Sequence, residues 1–106
     1  MKEKLQVVLA KLKERLAQLY GERLRGVYIF GSYARGEADE ESDLDVLIVL
    51  DQVENYSAEI DRTGEIVSAL SLESGFTISR AFASEERWLA DQTMFFLNVR
   101  EEAVSV

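Results

Sequence analysis

Two aspartates one residue apart, Asp43 and Asp45, open the most apolar stretch of the chain, Leu44 to Leu50. Side chains of an extended strand alternate between faces, so the two carboxylates point one way while Leu44 and Val46 point the other. At about 3.3 Å of rise per residue their Cα atoms stand roughly 7 Å apart, and their tips can converge on one cation. Upstream, a second apolar run, Val27-Tyr28-Ile29-Phe30, leads straight into Gly31-Ser32. A residue without a side chain, a hydroxyl and free backbone N–H groups are the parts a phosphate needs. Together these residues read as a site for a metal-bound nucleoside triphosphate.

The rest of the composition restricts the chemistry further. The chain has 106 residues with neither His nor Cys, so a catalytic base must be a carboxylate and a metal site must be built from oxygen. Oxygen ligands select hard cations such as Mg²⁺ or Mn²⁺. A net charge of −8 disfavours loose binding to nucleic acid, which depends on basic residues neutralising phosphates, and no direct nucleic-acid partner is expected. Ten acids and no basic residue lie between Arg35 and Arg62. Most of that run reads as a solvated acidic face; Asp43 and Asp45 differ in sitting at the mouth of an apolar strand. No disulfide framework is possible, no apolar h-region of a signal peptide begins the chain, and no apolar run approaches the ~20 residues of a membrane span. The expectation is one cytoplasmic domain over residues 1–106, with a modest core and no membrane contact.

The elements that must position the site follow from periodicity. Leu5, Val8, Leu9, Leu12, Leu16 and Leu19 recur at helical spacing and predict an amphipathic helix over about residues 3–20, ended by Gly21. Residues 25–30 form the first strand. Residues 32–35 make a short helical turn ended by Gly36, and Leu44 to Leu50 reads as a strand covered on both faces. A second helix is expected from Tyr56 to about Glu73, carrying Ile60, Ile66, Val67, Leu70 and Leu72, weakened at Gly64. Residues 76–82 alternate as a strand with one wet face. Ser84 caps a short helix carrying Trp88 and Leu89, Thr93 to Glu102 forms a last helix, and residues 104–106 finish extended. The aromatic cluster of that last helix reads as core, with a docking patch as the alternative. The fold class is α+β, α/β-like: a small mixed sheet of three to four strands packed with about four helices.

Several familiar phosphate and metal motifs fail. Gly31 and Gly36 have the Gly-x4-Gly frame of a P-loop, but Glu37-Ala38 follow where Lys and Ser or Thr are required. The acidic segment lacks the glycine and the terminal Glu of an EF-hand, and no Gly-x-Gly-x-x-Gly is present. What remains is Gly-Ser-x10-Asp-x-Asp between two apolar strands, within the fuller string Gly31-Ser32-Tyr33-Ala34-Arg35-Gly36…Ser42-Asp43-Leu44-Asp45. It resembles the DNA polymerase β-like nucleotidyltransferase superfamily, and within it the minimal nucleotidyltransferases, usually antitoxin partners of HEPN-domain toxins. The resemblance covers most of the chain.

That resemblance implies a polymerase β-type nucleotidyltransferase fold and a role for each motif residue. Gly31 and Ser32 would hold the β- and γ-phosphates of ATP, with Arg35 as a further phosphate contact. Asp43 and Asp45 would be the catalytic acids that ligate Mg²⁺. The implied reaction is AMP transfer from ATP to a hydroxyl, in the antitoxin branch a Tyr of the HEPN toxin, within a hetero-oligomer. One departure stands out: the superfamily supplies a third carboxylate from the next strand, where this chain has no acid and Ser79 occupies the equivalent slot. The alternative is therefore a weakened pseudo-transferase that silences a toxin by docking. A free-standing enzyme acting on a small molecule such as an aminoglycoside is disfavoured, since no second domain is available to form its acceptor pocket.

Overall fold

The computed structural model describes residues 2–106. A nineteen-residue helix, α1 (Lys2–Tyr20), leads through a single 3-10 turn into strand β1 (Leu24–Phe30). The short helix α2 (Ser32–Arg35) and an acidic loop connect β1 to β2 (Leu44–Leu50). Helix α3 (Tyr56–Ser74), strand β3 (Ile78–Ser84), helices α4 (Glu85–Ala90) and α5 (Met94–Glu102) and a two-residue strand β4 (Val104–Ser105) complete the order. The sheet runs β3-β2-β1-β4; β1 is antiparallel to both β2 and β4, and β3 is parallel to β2. This is a mixed four-stranded sheet with five α-helices among the described residues, one more than the periodicity implied because the Ser32 turn closes as a helix.

β2 lies in the middle of the sheet and is buried on both faces, as its unbroken apolar run requires. Leu44, Val46, Ile48 and Leu50 face one layer, where α1 contributes Val8, Leu9, Leu12 and Leu16 and α3 contributes Val67 and Leu70. Leu47 and Val49 face the other, against Ala83 of β3 and Phe96 and Val99 of α5. By alternation Asp45 belongs to the Leu47 face, so the α5 layer decides what its carboxylate meets.

Several expectations move by a few residues. Tyr20 takes the buried place at the end of α1 while Leu19 is 40% exposed, and Leu72 at the end of α3 is 86% exposed. A hydrophobic residue one position out of phase at a helix end leaves the stripe. Gly64 does not interrupt α3, whose Asn55 side chain caps Ala58 N–H at 3.1 Å. β3 starts two residues later than its alternation suggests; Thr77 is still connector, although its carbonyl accepts Leu44 N–H at 2.8 Å. Ser84 caps α4 as predicted. The aromatic segment of α5 divides between the two readings: Phe96 and Val99 are core, whereas Met94, Phe95 and Leu97 are exposed.

Candidate functional site

The antiparallel register of β1 with β2 pairs Phe30 with Asp45, so the residue that ends one strand lies beside the aspartate that begins the other. The chain leaves Phe30 through Gly31 at φ +73° and ψ −154°, a conformation open essentially to glycine. The reason is spatial as well as torsional. A Cβ at Gly31 would lie 2.3 Å from Asp45 Oδ2. Backbone and carboxylate are thus in direct apposition, and Ser32 begins α2 immediately after. Gly36 closes α2 in the left-handed region, its N–H directed at the Ser32 and Tyr33 carbonyls.

The structure brings Gly31, Ser32 and Asp45 to adjacent strand ends. Asp43 stands one residue before β2 and is exposed, while Asp45 is half-buried. Burial, and then the negative charge of Asp43, push the Asp45 carboxyl above its usual range; Arg35 pulls it down and Glu102 adds to the rise. Among the described residues neither aspartate makes an ion pair or a hydrogen bond, in contrast to Asp51 and Asp91, each held by an arginine. Two neighbouring carboxylates without a cationic partner suit a divalent cation. No third carboxylate joins them in metal-holding geometry among the described residues. Mg²⁺ fits such a set, since it commonly takes one or two protein carboxylates and completes its shell with substrate phosphates and water.

The register of β3 is fixed by its parallel pairing with β2, which sets Ser79 beside Asp45. Paired residues on neighbouring strands share a face about 4.8 Å apart, so an exposed hydroxyl stands where the superfamily resemblance implies an acid. Arg35 does not stand free. Its Nε donates to Glu37 at 3.1 Å and its Nη1 to Glu102 at 3.0 Å.

Glu102 is the residue that sequence reasoning missed. It comes from the last turn of α5, 71 positions from Gly31, and its Oε1 accepts the Gly31 N–H at 2.9 Å. That hydrogen bond, and then Arg35, hold its carboxyl below the usual range. The only local signal was an acid at the C-terminal end of a helix, where the helix dipole disfavours negative charge and an outside donor is called for. A concavity of about 400 Å³, lined by Val7, Val8, Lys11, Leu70 and Glu73 among others, lies between α1 and α3 in the opposite layer and shares no residue with this group. The aspartates lie at the start of β2, Asp43 exposed to solvent and Asp45 partly so.

A helix-flanked mixed sheet that sets a Gly-Ser turn beside an Asp-x-Asp pair defines a class of domain suited to metal-assisted handling of a triphosphate. Residues 9–92 match the family model described as nucleotidyltransferase domain, and the chain belongs to that family. It is 38% identical over 71 residues to a candidate protein adenylyltransferase of Methanocaldococcus jannaschii, covering 67% of this chain and 65% of that one. It is 37% identical over 51 residues to the protein adenylyltransferase MntA of Thermococcus cleftensis, covering 48% and 50%. The matched stretches thus span about two-thirds and half of these relatives' lengths. Among solved structures, a candidate minimal nucleotidyltransferase superposes with a TM-score of 0.61 at 27% identity, covering 96% of this chain and 95% of that one. A toxin–antitoxin complex determined with AMP-PNP gives a TM-score of 0.63 at 18% identity, covering 89% and 68%, which speaks for the fold.

Proposed function

We propose that this chain is a Mg²⁺-dependent adenylyltransferase that moves AMP from ATP to a hydroxyl of a partner protein, a Tyr of a HEPN-domain toxin, and so acts as its antitoxin. The observation that carries this reading is the Phe30–Asp45 register, which sets an unpartnered carboxylate pair against the Gly31-Ser32 turn. The name of the Thermococcus relative supports protein adenylylation, and the toxin–antitoxin neighbour holding AMP-PNP supports the nucleotide and the kind of partner.

In this reading Asp43 and Asp45 would hold the metal, which when bound would supply neutralisation of the leaving pyrophosphate's charge and polarisation of the α-phosphorus. Gly31 N–H, the Ser32 hydroxyl and the Arg35 guanidinium would hold the β- and γ-phosphates and so position the α-phosphorus for attack. The tyrosine oxygen forms a bond to the α-phosphorus as the bond to the bridging oxygen of the pyrophosphate breaks. The tyrosine proton passes to solvent, since Ser79 offers no carboxylate to take it.

Ser79 is also the observation that favours the second reading, neutralisation by docking. Incubation with α-labelled ATP, Mg²⁺ and a purified HEPN-domain toxin separates the two. Label on the toxin that is lost in Asp43→Asn and Asp45→Asn supports transfer. If those variants neutralise the toxin as well as the parent, docking suffices.

A further inference from the structure

Glu102 makes the hydrogen bonds that the nucleotide would be asked to make. Its two carboxylate oxygens take the Gly31 N–H at 2.9 Å and Arg35 Nη1 at 3.0 Å, one donor each. These are two of the three donors that the proposed function gives to the β- and γ-phosphates. A carboxylate spanning two such donors copies the edge of a phosphate group, planar and singly charged but with the same pair of acceptors. The Glu102 side chain is 23% exposed, so the seat is occupied by the carboxylate while its outer edge still meets solvent. Nothing in α5 itself asks for an acid there: the last turn of a helix repels negative charge, and the favourable interactions all come from the β1–α2 turn.

The segment after Glu102 holds it in place. Val104 and Ser105 pair with Ile29 and Tyr28 of β1, and Val106 N–H donates to the Val27 carbonyl at 2.9 Å. The same strand that leads into Gly31 therefore tethers the tail that brings Glu102 back to it. This clip is short, two strand residues on an open sheet edge, both exposed, and short exposed pairings open at low cost.

We infer that Glu102 is an internal substitute for the terminal phosphates of the nucleotide, so that the chain alone holds its phosphate seat closed and a triphosphate binds only by expelling the carboxylate. The inference rests on the phosphate roles proposed above for Gly31 and Arg35. The contacts of Glu102 differ from those of the other use of a glutamate at this place, a replacement for the missing strand acid. A metal ligand would turn its oxygens toward Asp43 and Asp45, whereas both Glu102 oxygens are committed to the Gly31 N–H and Arg35.

Competition of this kind lowers apparent affinity by the fraction of molecules already open. With an open fraction of about one in ten, removal of the carboxylate tightens binding about tenfold. The test is calorimetric titration of the parent, Glu102→Gln and Glu102→Ala with a non-hydrolysable ATP analogue and with AMP, in Mg²⁺. Thermal melts without ligand accompany it; Glu102→Gln keeps the side-chain volume should the alanine variant fold poorly. The expected result is an ATP analogue bound about tenfold more tightly by both variants, with AMP affinity unchanged because AMP has no β- or γ-phosphate. Weaker binding of the analogue would make Glu102 a ligand and overturn the inference, as would an equal gain for AMP or no change at all. If parent and variants alike fail to bind the analogue while folded, the nucleotide reading of the site fails, and this inference with it.

Discussion

Gly31→Ala is the sharpest perturbation the geometry offers, because one methyl group tests the backbone and the aspartate together. The torsions at Gly31, φ +73° and ψ −154°, lie in a region that costs an L-residue about 1–3 kcal/mol. For a domain of this size each kcal/mol shifts the melting temperature by about 4–8 °C, so a fall of roughly 5–20 °C is expected. The added Cβ would also lie 2.3 Å from Asp45 Oδ2. Ordinary contact between such atoms is about 3.5 Å, and the Asp45 carboxylate, as the softer party, must give way by about 1 Å. Mg²⁺ demands near-ideal octahedral ligands at about 2.1 Å, and a displacement of that size at a reacting centre can cost about a hundredfold. Gly36→Ala is the control, since its φ of +74° strains an alanine but nothing lies within 4 Å of its Cβ. It should lower the melting temperature by about 1–2 kcal/mol worth of stability and leave Mg·ATP affinity within a factor of about two. Thermal melts and calorimetric titration with the ATP analogue give both quantities. Undiminished binding by Gly31→Ala, or an equal loss in Gly36→Ala, would refute the claim that this glycine exists for its approach to Asp45.

Two further predictions concern charge. The Asp45 carboxyl is raised in the fold by burial and by Asp43, so between its ordinary value near ~3.9 and the raised value the folded chain binds more protons than the unfolded one. Stability from this group is therefore lost as pH rises through that window, and Asp45→Asn should melt higher than the parent at pH 7 while losing Mg²⁺ affinity. The gain should vanish at pH values where both states are protonated; a pH-independent offset in melts run across that range would contradict the assignment. Far from the site, Glu59 is 5% exposed and accepts Tyr20 Oη at 2.8 Å, Arg62 Nη1 at 2.9 Å and Arg23 Nη2 at 3.3 Å. Removing it strands a buried hydroxyl but leaves two arginines able to reach water, so Glu59→Ala should cost about 2–3 kcal/mol in urea unfolding with unchanged ATP-analogue affinity.

The parts of this site that could be read from the chain are those written in local pattern. The apolar run of β2, the Gly-Ser turn and the aspartate spacing all act over a few residues, and the β1–β2 pairing follows from joining two strands through a short connection. Resemblance alone assigns Ser79 to the slot of the third acid; its place beside Asp45 is set by the parallel register, which a nineteen-residue helix separates from β2 and no local spacing encodes. The split of α5 into buried Phe96 and exposed Phe95 depends on which face meets β2, a tertiary fact. Glu102 is the extreme case. Its partners are 71 and 67 residues away, and an acid beside Glu101 at a helix end resembles any solvated terminus until the fold closes.

That closure bears on how an acidic chain could accept an ATP anion at all. Around the strand ends stand four carboxylates, Asp43, Asp45, Glu37 and Glu102, the last two paired with the one guanidinium, Arg35, within a protein of net charge −8. A triphosphate approaching this group unaided would meet repulsion on every side but one. In the proposed reading two exchanges offset it: the divalent cation quenches the aspartate pair, and Glu102 leaves the Gly31–Arg35 seat as a phosphate enters it. The second exchange trades one anion for another, so its free energy is small and its direction is set by the first. Nucleotide affinity should then depend steeply on Mg²⁺ in the parent and less steeply in Glu102→Ala, where the seat is already clear. The opposite order, a variant more dependent on the cation than its parent, would mean that Glu102 belongs to the metal and not to the phosphate.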